Sequence, residues 1–133
     1  MSAEAFHDTN VVIYAFIEAG RRSVLAEELV ANGGTVSVQV LNEFVNVARR
    51  KHALSWRAIH GSLVTLQDAC GEPRALTATT HEAALAIAER SGYRIYDALI
   101  IASAAEAGCR TLYSEDLADG QEIAGVRIVN PFA

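Results

Sequence analysis

The sequence predicts an α/β fold in which a short, mainly parallel central sheet lies between two layers of helices. Strand-like and helix-like segments alternate along the chain, as they do in parallel sheets with helical crossovers. The chain has 133 residues, the usual size of one domain, and no linker or repeat divides it. Its composition, 51% hydrophobic and 20% charged, is typical of a packed core. We therefore expect residues 1–133 to form a single α/β/α domain.

The first third of the chain predicts two short strands and one clear helix. Residues 5–8 are strand-like. The apolar run 11–17 fits either a strand or a buried helix, because periodicity does not separate the two over so short a stretch. Residues 21–31 predict a helix with one apolar side, ended by Gly33 and Gly34. Residues 35–38 predict another strand.

The rest of the chain predicts four helices and three strand-like segments. Residues 40–51 have apolar side chains at helical spacing. Ser55 is the expected N-cap of the next helix, and Thr79 with Glu82 matches a capping box that opens the following one. The last of the four helices, residues 97–107, has apolar side chains almost all round and is expected to be buried centrally. These three later helices cover residues 55–69, 79–92 and 97–107, and the strand-like segments are 74–78, 111–113 and 126–129.

Two aspartates follow predicted strands, where open α/β sheets bind their ligands. Asp8 comes directly after the first strand, and Asp116 lies just beyond residues 111–113. Asp97 begins the apolar helix, and Glu43 lies on the helix after another strand end. The predicted topology can bring these four acids together, although they are far apart in sequence.

Each acid also has an ordinary structural interpretation. Asp97 could cap its helix and interact with the helix dipole. Asp116 and Asp8 could be turn residues, and Glu43 could be a solvated helix charge. Asp119, before Gly120, most simply belongs to a turn.

The apolar surroundings of Asp8 and Asp97 favour a cation site. A carboxylate beside core segments is costly unless it is paired, hydrogen-bonded or metal-bound. Converging carboxylates also repel one another, and a divalent cation removes that repulsion. Oxygen ligands favour Mg²⁺ or Mn²⁺ over zinc. The polar neighbours Thr9, Asn10 and Ser114 could orient the acids or form local turn and cap bonds.

Four short motifs, taken in order, resemble those of the PIN-domain nucleases. The matching stretches are Asp8-Thr9-Asn10-Val11-Val12-Ile13-Tyr14-Ala15, Leu41-Asn42-Glu43-Phe44, Tyr96-Asp97-Ala98-Leu99-Ile100 and Tyr113-Ser114-Glu115-Asp116-Leu117. The tail, from residues 119–121 through 130–132, is similar to that of bacterial VapC-type toxins of this family. The resemblance runs from about residue 6 to the end, and residues 52–78 carry no recognisable signature.

The resemblance implies a PIN-like three-layer sandwich and a metal-dependent endoribonuclease, the toxin of a toxin–antitoxin pair. It would hydrolyse RNA phosphodiester bonds, be neutralised by a small antitoxin and form a homodimer. The same resemblance implies that one or two Mg²⁺ or Mn²⁺ ions are held by Asp8, Glu43, Asp97 and Asp116. Asp8 and Asp97 would be direct ligands, and Asp116 would bind directly or through water. Glu43 would either ligate the metal or orient the attacking water.

Charge and composition limit the alternatives. A net charge of −5 argues against holding RNA by bulk electrostatics, so metal and local charge must attract it. The single lysine, Lys51, closes a helix behind two arginines, where it suits the helix dipole or could contact phosphate. No histidine pair has zinc-ligand spacing, and Cys70 and Cys109 are expected to be buried thiols. The absence of a signal-peptide pattern or a membrane-span pattern suggests a cytoplasmic protein.

Four other functions can be compared with the toxin interpretation. A housekeeping PIN-type nuclease shares the fold, and a neighbouring antitoxin gene would separate the two. A receiver-type signalling domain is also acidic and binds Mg²⁺, but it needs a lysine near the last strands, and Lys51 lies too early. A haloacid-dehalogenase-like phosphatase needs a second aspartate where Asn10 stands. An inactive binding module finds no support, since all four acids are present.

Overall fold

A four-stranded sheet forms the centre of the protein in the computed structural model, which describes residues 5–133. The strands are β1 (Ala5–His7), β2 (Thr111–Tyr113), β3 (Glu122–Ile123) and β4 (Val126–Val129), in the spatial order β1-β2-β4-β3. β1, β2 and β4 are parallel, whereas β3 runs antiparallel to β4. The mainly parallel sheet predicted from the sequence is therefore confirmed, with one short antiparallel strand that the sequence analysis missed.

The described residues form six helices. Helix α6 packs against α3 and α5 and contacts strands β2 and β4. Its Ala98, Ile101 and Ala104 are fully buried, which confirms the central position predicted for this apolar segment. The helix bounds are α1 Thr9–Phe16, α2 Arg21–Ala31, α3 Val38–Arg50, α4 Trp56–Cys70, α5 Ala78–Ser91 and α6 Ile95–Glu106.

The ambiguous run after the first strand is helical. Asp8 directly follows β1 and is the N-cap of α1. Its Oδ1 accepts the backbone N–H of Thr9 at 2.7 Å. Val11 and Val12 lie on the side of α1 that is fully buried. Because Asp8 uses Oδ1 for this cap, its other oxygen, Oδ2, lies at the edge of the sheet where the parallel strands end.

Two predicted strands are reduced to isolated bridges. Thr35 pairs with Phe6, and Ser37 pairs with Arg74, each through a single parallel bridge. Residues 35–38 cannot continue as a strand, because the Ser37 hydroxyl accepts the N–H of Val40 and starts α3 at Val38. The strand predictions for residues 35–38 and 74–78 were therefore too long.

Three helix starts also differ from the prediction: α3 begins at Val38 and not at residue 40, and α5 and α6 begin earlier than expected. Ser55 caps α4, in agreement with the sequence analysis. Helix α5 begins after Thr77, whose side chain forms a reciprocal capping box with Thr80, so the expected Thr79–Glu82 box was wrong. Helix α6 begins at Ile95, so Asp97 lies in its first turn and is not the N-cap. Among the described residues, no helix is long and apolar enough to cross a membrane.

Candidate metal centre

All four predicted acids line one surface pocket of about 320 Å³. β1 and the loop after β2 supply Asp8 and Asp116, while α3 and α6 supply Glu43 and Asp97. The pocket thus lies where the strands end, as expected for a parallel sheet. Its other lining residues are Thr9, Asn10, Ile13, Asn46, Val47 and Arg94.

Asp8 is the most buried of the four acids, with 7% of its surface exposed. Its Oδ2 accepts a hydrogen bond from the Ser114 hydroxyl at 2.7 Å. Burial is the largest cause that raises the pKa of Asp8 from 3.8 to about 6; the charges of Glu43 and Asp116 act in the same direction, and its hydrogen bonds to Ser114 and Thr9 oppose the shift. Without a nearby cation, the charged form of Asp8 therefore lowers the stability of the folded protein.

Glu43 is held by two donors. The Thr9 hydroxyl donates to Oε1 at 2.5 Å, and the Gln39 amide donates to Oε2 at 3.0 Å. Gln39 is itself buried, one helical turn before Glu43 on α3. Glu43 is therefore oriented toward the pocket, which does not fit a freely solvated helix charge.

Asp116 lies in the exposed loop after β2, and two polar residues connect it to Asp8. The Asn10 amide group donates to Asp116 at 3.2 Å and, more weakly, to Asp8 at 3.4 Å. Ser114, which donates to Asp8, also accepts the backbone N–H groups of Asp116 and Leu117. These contacts favour an orienting role for Asn10 and Ser114.

Asp97 faces the same pocket from the first turn of α6. Its Oδ2 lies 3.5 Å from Nε of Arg94, whose side chain is 86% exposed. An exposed pair of this kind contributes little to stability, so Arg94 is free to exchange this contact for another anion. No role was predicted for Arg94 or Gln39 from the sequence. The available signal was their spacing: Arg94 lies three residues before Asp97, and Gln39 lies four residues before Glu43.

Two other candidates lie outside the pocket. Asp119 accepts the backbone N–H of Asn130 at 2.8 Å and sits in a turn before Gly120, which confirms its structural interpretation. His7 adjoins Asp8 in sequence, but it is buried and its Nε2 donates to the carbonyl of Gly33 at 2.7 Å. His7 does not line the acid pocket.

The donor set fits a divalent cation bound by oxygen. Within residues 5–133, no three acidic, histidine or cysteine side chains are already close enough to form a compact metal-ligand group. The four acids therefore share a pocket without converging on one point. The buried Asp8 charge, with two like charges near it, is the feature that a cation would compensate. Carboxylate oxygens are the ligands that Mg²⁺ and Mn²⁺ prefer.

Comparisons with known proteins agree with this architecture. The family model of the PIN domain matches residues 5–118. The fold is similar to the crystal structure of Mycobacterium tuberculosis VapC20, a sarcin-ricin loop cleaving toxin, with a TM-score of 0.69 and 23% sequence identity. That match covers 84% of this chain and 89% of the other. No curated protein matches the sequence significantly.

Proposed function

The chain belongs to the PIN domain family, and we propose that it is a metal-dependent endoribonuclease acting as the toxin of a toxin–antitoxin pair. The observation that carries the proposal is the meeting of Asp8, Glu43, Asp97 and Asp116 in one pocket at the carboxyl edge of the sheet. The acids come from four separate segments, and capping or turn formation would not require them to share a pocket.

We propose that Asp8 and Asp97 are direct ligands of Mg²⁺ or Mn²⁺ and that Asp116 binds directly or through water. When bound, the cation makes hydroxide accessible near neutral pH and offsets the charge that develops on the phosphate. Asn10 and Ser114 hold Asp8 and Asp116 in position.

Glu43 is proposed to orient the attacking water or to add a further ligand. Thr9 and Gln39 each donate to one of its oxygens, which fixes the carboxylate plane. Each oxygen keeps lone-pair capacity for an O–H group of water, so Glu43 can take up a proton as the phosphodiester bond is attacked.

A toxin role is supported by the likeness to VapC20, a sarcin-ricin loop cleaving toxin. For this chain we propose RNA as substrate, a small antitoxin protein as partner, and a homodimer acting in the cytoplasm. Expression of the protein alone should arrest growth, and co-expression of the antitoxin should restore it. Growth unaffected by an active protein would favour a housekeeping nuclease instead.

The nuclease proposal is tested with purified protein and labelled RNA. We expect cleavage with Mg²⁺ or Mn²⁺ and none in excess EDTA. Asp8→Ala and Asp97→Ala should abolish cleavage. Both variants should keep the circular dichroism spectrum of a folded protein. Asp68→Asn, which removes an exposed acid on α4 outside the pocket, is the control and should retain activity. Cleavage in EDTA, or full activity of both alanine variants, would reject the proposal.

A further inference from the structure

A second pocket of about 220 Å³ adjoins the acid pocket. The two share Asn10, Ile13, Val47 and Asp116 as lining residues, so they form one continuous groove. We call the second one the side pocket; the residues that only it contains are Tyr14, Glu18, Lys51 and Glu115. A substrate held at the acids would extend into it.

Two of the side-pocket residues already have their polar groups engaged. Both oxygens of Glu115 accept hydrogen bonds at 2.6 Å, one from the Tyr14 hydroxyl and one from Nε of Arg22. The Arg22 guanidinium also lies over the Tyr14 ring, and the Glu115 N–H donates to Asn10. Tyr14 and Glu115 therefore form a fixed wall of the pocket.

Of the four residues that only the side pocket contains, Glu18 and Lys51 are the two charged ones that keep free hydrogen-bonding capacity. Glu18 lies 3.7 Å from Nε2 of His52, which is beyond hydrogen-bond distance. Lys51 is exposed and, within residues 5–133, has no acidic side chain within 4 Å of its amine. The nearby Arg49 is engaged with the Leu54 carbonyl and the Trp56 ring. Besides Asp116, which it shares with the acid pocket, the side pocket thus offers the carboxylate of Glu18 and the ammonium group of Lys51 beside apolar Ile13 and Val47.

We propose that the side pocket binds the base of the nucleotide next to the scissile phosphate and prefers guanine. The Watson–Crick edge of guanine has two adjacent donors, N1–H and the N2 amino group, beside the acceptor O6. A carboxylate such as Glu18 can accept both donors, and an ammonium such as Lys51 can donate to O6 or N7. Unpaired RNA bases are commonly recognised through these edges.

The charge pattern argues for a base and against a phosphate. Three carboxylates line the side pocket, Glu18, Glu115 and Asp116, and Lys51 is the single basic residue lining it. A phosphate there would be repelled, whereas a neutral base with donors is attracted. Adenine, cytosine and uracil each lack the adjacent pair of donors, so they engage only one oxygen of Glu18.

The kinetic test rests on the proposed nuclease activity. Short RNAs that differ only in one nucleotide beside the cleavage site should be cleaved with guanine favoured about 10-fold in kcat/KM, the scale of one good bidentate contact. Glu18→Gln and Lys51→Ala should each bring that ratio close to one. The controls Glu89→Gln, on α5, and Arg50→Ala, beside Lys51 but outside the pocket, should keep the preference.

A binding test separates the failure of this proposal from the failure of the nuclease assignment. The wild-type protein is titrated with guanosine, adenosine, cytidine and uridine, which carry no phosphate, and amide shifts are followed by NMR. Guanosine should shift the signals of Tyr14, Glu18 and Lys51 more than the other nucleosides do, and Glu18→Gln should remove the difference. Equal shifts for all four nucleosides, no shifts at these residues, or equal cleavage of the four RNAs would overturn the base pocket, even if cleavage itself is metal-dependent.

Discussion

Replacing Asp8 with asparagine should stabilise the metal-free protein at neutral pH while destroying its metal site. Burial and neighbouring charges raise the folded-state pKa of Asp8 to about 6, above the value of 3.8 expected for an exposed aspartate. Charged Asp8 therefore destabilises the fold at pH 7.5, and this cost disappears as the pH falls from about 6 toward 4. A shift of about two pKa units corresponds to about 3 kcal/mol at pH 7.5.

Asparagine removes that cost but disturbs two hydrogen bonds, because Ser114 and, more weakly at 3.4 Å, Asn10 both donate to the Asp8 oxygen that becomes an amide group. Its amide group would face the Ser114 hydroxyl, whose lone pairs already accept the N–H groups of Asp116 and Leu117. The mismatch costs about 1 kcal/mol, so the expected net gain is about 2 kcal/mol. For a chain of 133 residues, that gain raises Tm by about 7 °C.

The assay is thermal unfolding of the wild-type protein and Asp8→Asn in EDTA between pH 4 and 7.5. The variant should melt higher at pH 7.5, and the difference should shrink toward pH 4, where the wild-type carboxyl group is protonated. Saturating Mn²⁺ should reverse the order, because it stabilises only the wild-type protein; a concentration of 100 times Kd adds about 2.7 kcal/mol. A variant that is no more stable at pH 7.5 in EDTA, or a difference that is independent of pH, would refute this reasoning.

Three further substitutions test the roles of the polar neighbours. Ser114→Ala should weaken Mn²⁺ binding about 10- to 100-fold, measured by calorimetry, because Asp8 and Asp116 lose the hydroxyl that orients them; unchanged affinity would contradict that role. Thr9→Val should lower kcat, measured by single-turnover cleavage, more than it lowers the affinity for Mn²⁺, because Glu43 loses a hydrogen-bond donor. A change in Mn²⁺ affinity alone would indicate that Glu43 acts only as a metal ligand. Thr77→Ala should cost about 1 kcal/mol in urea unfolding and leave cleavage unchanged, because its hydroxyl only caps α5; lost cleavage would show that α5 also supports the site.

The bounds of some segments were predictable from the sequence, whereas the type of one apolar run was not. The predictions placed residues 21–31, which have one apolar side and end before Gly33 and Gly34, and the strand at residues 111–113 at their observed bounds. The run after β1 was left undecided, since a strand and a buried helix share its apolar content. The Asp8 cap on Thr9 decided it, and that contact depends on where β1 ends in three dimensions.

The acids of the site were predictable, whereas their supporting contacts were not. The resemblance and the strand-end rule identified Asp8, Glu43, Asp97 and Asp116, and the fold brings them to one pocket. Gln39 and Arg94 were missed because a glutamine or an arginine one turn from an acid is common on any helix. The side pocket was also invisible, because Lys51 and Glu18 lie at the ends of different helices.

The metal centre itself is most directly tested by anomalous diffraction from crystals of the protein soaked in Mn²⁺. The four-acid pocket predicts a manganese peak bound to the carboxylates of Asp8 and Asp97, with Glu43 and Asp116 within reach directly or through water. The same soak of Asp97→Asn should weaken or remove the peak. A fully occupied peak elsewhere, or an empty pocket in crystals of active wild-type protein, would contradict the assignment.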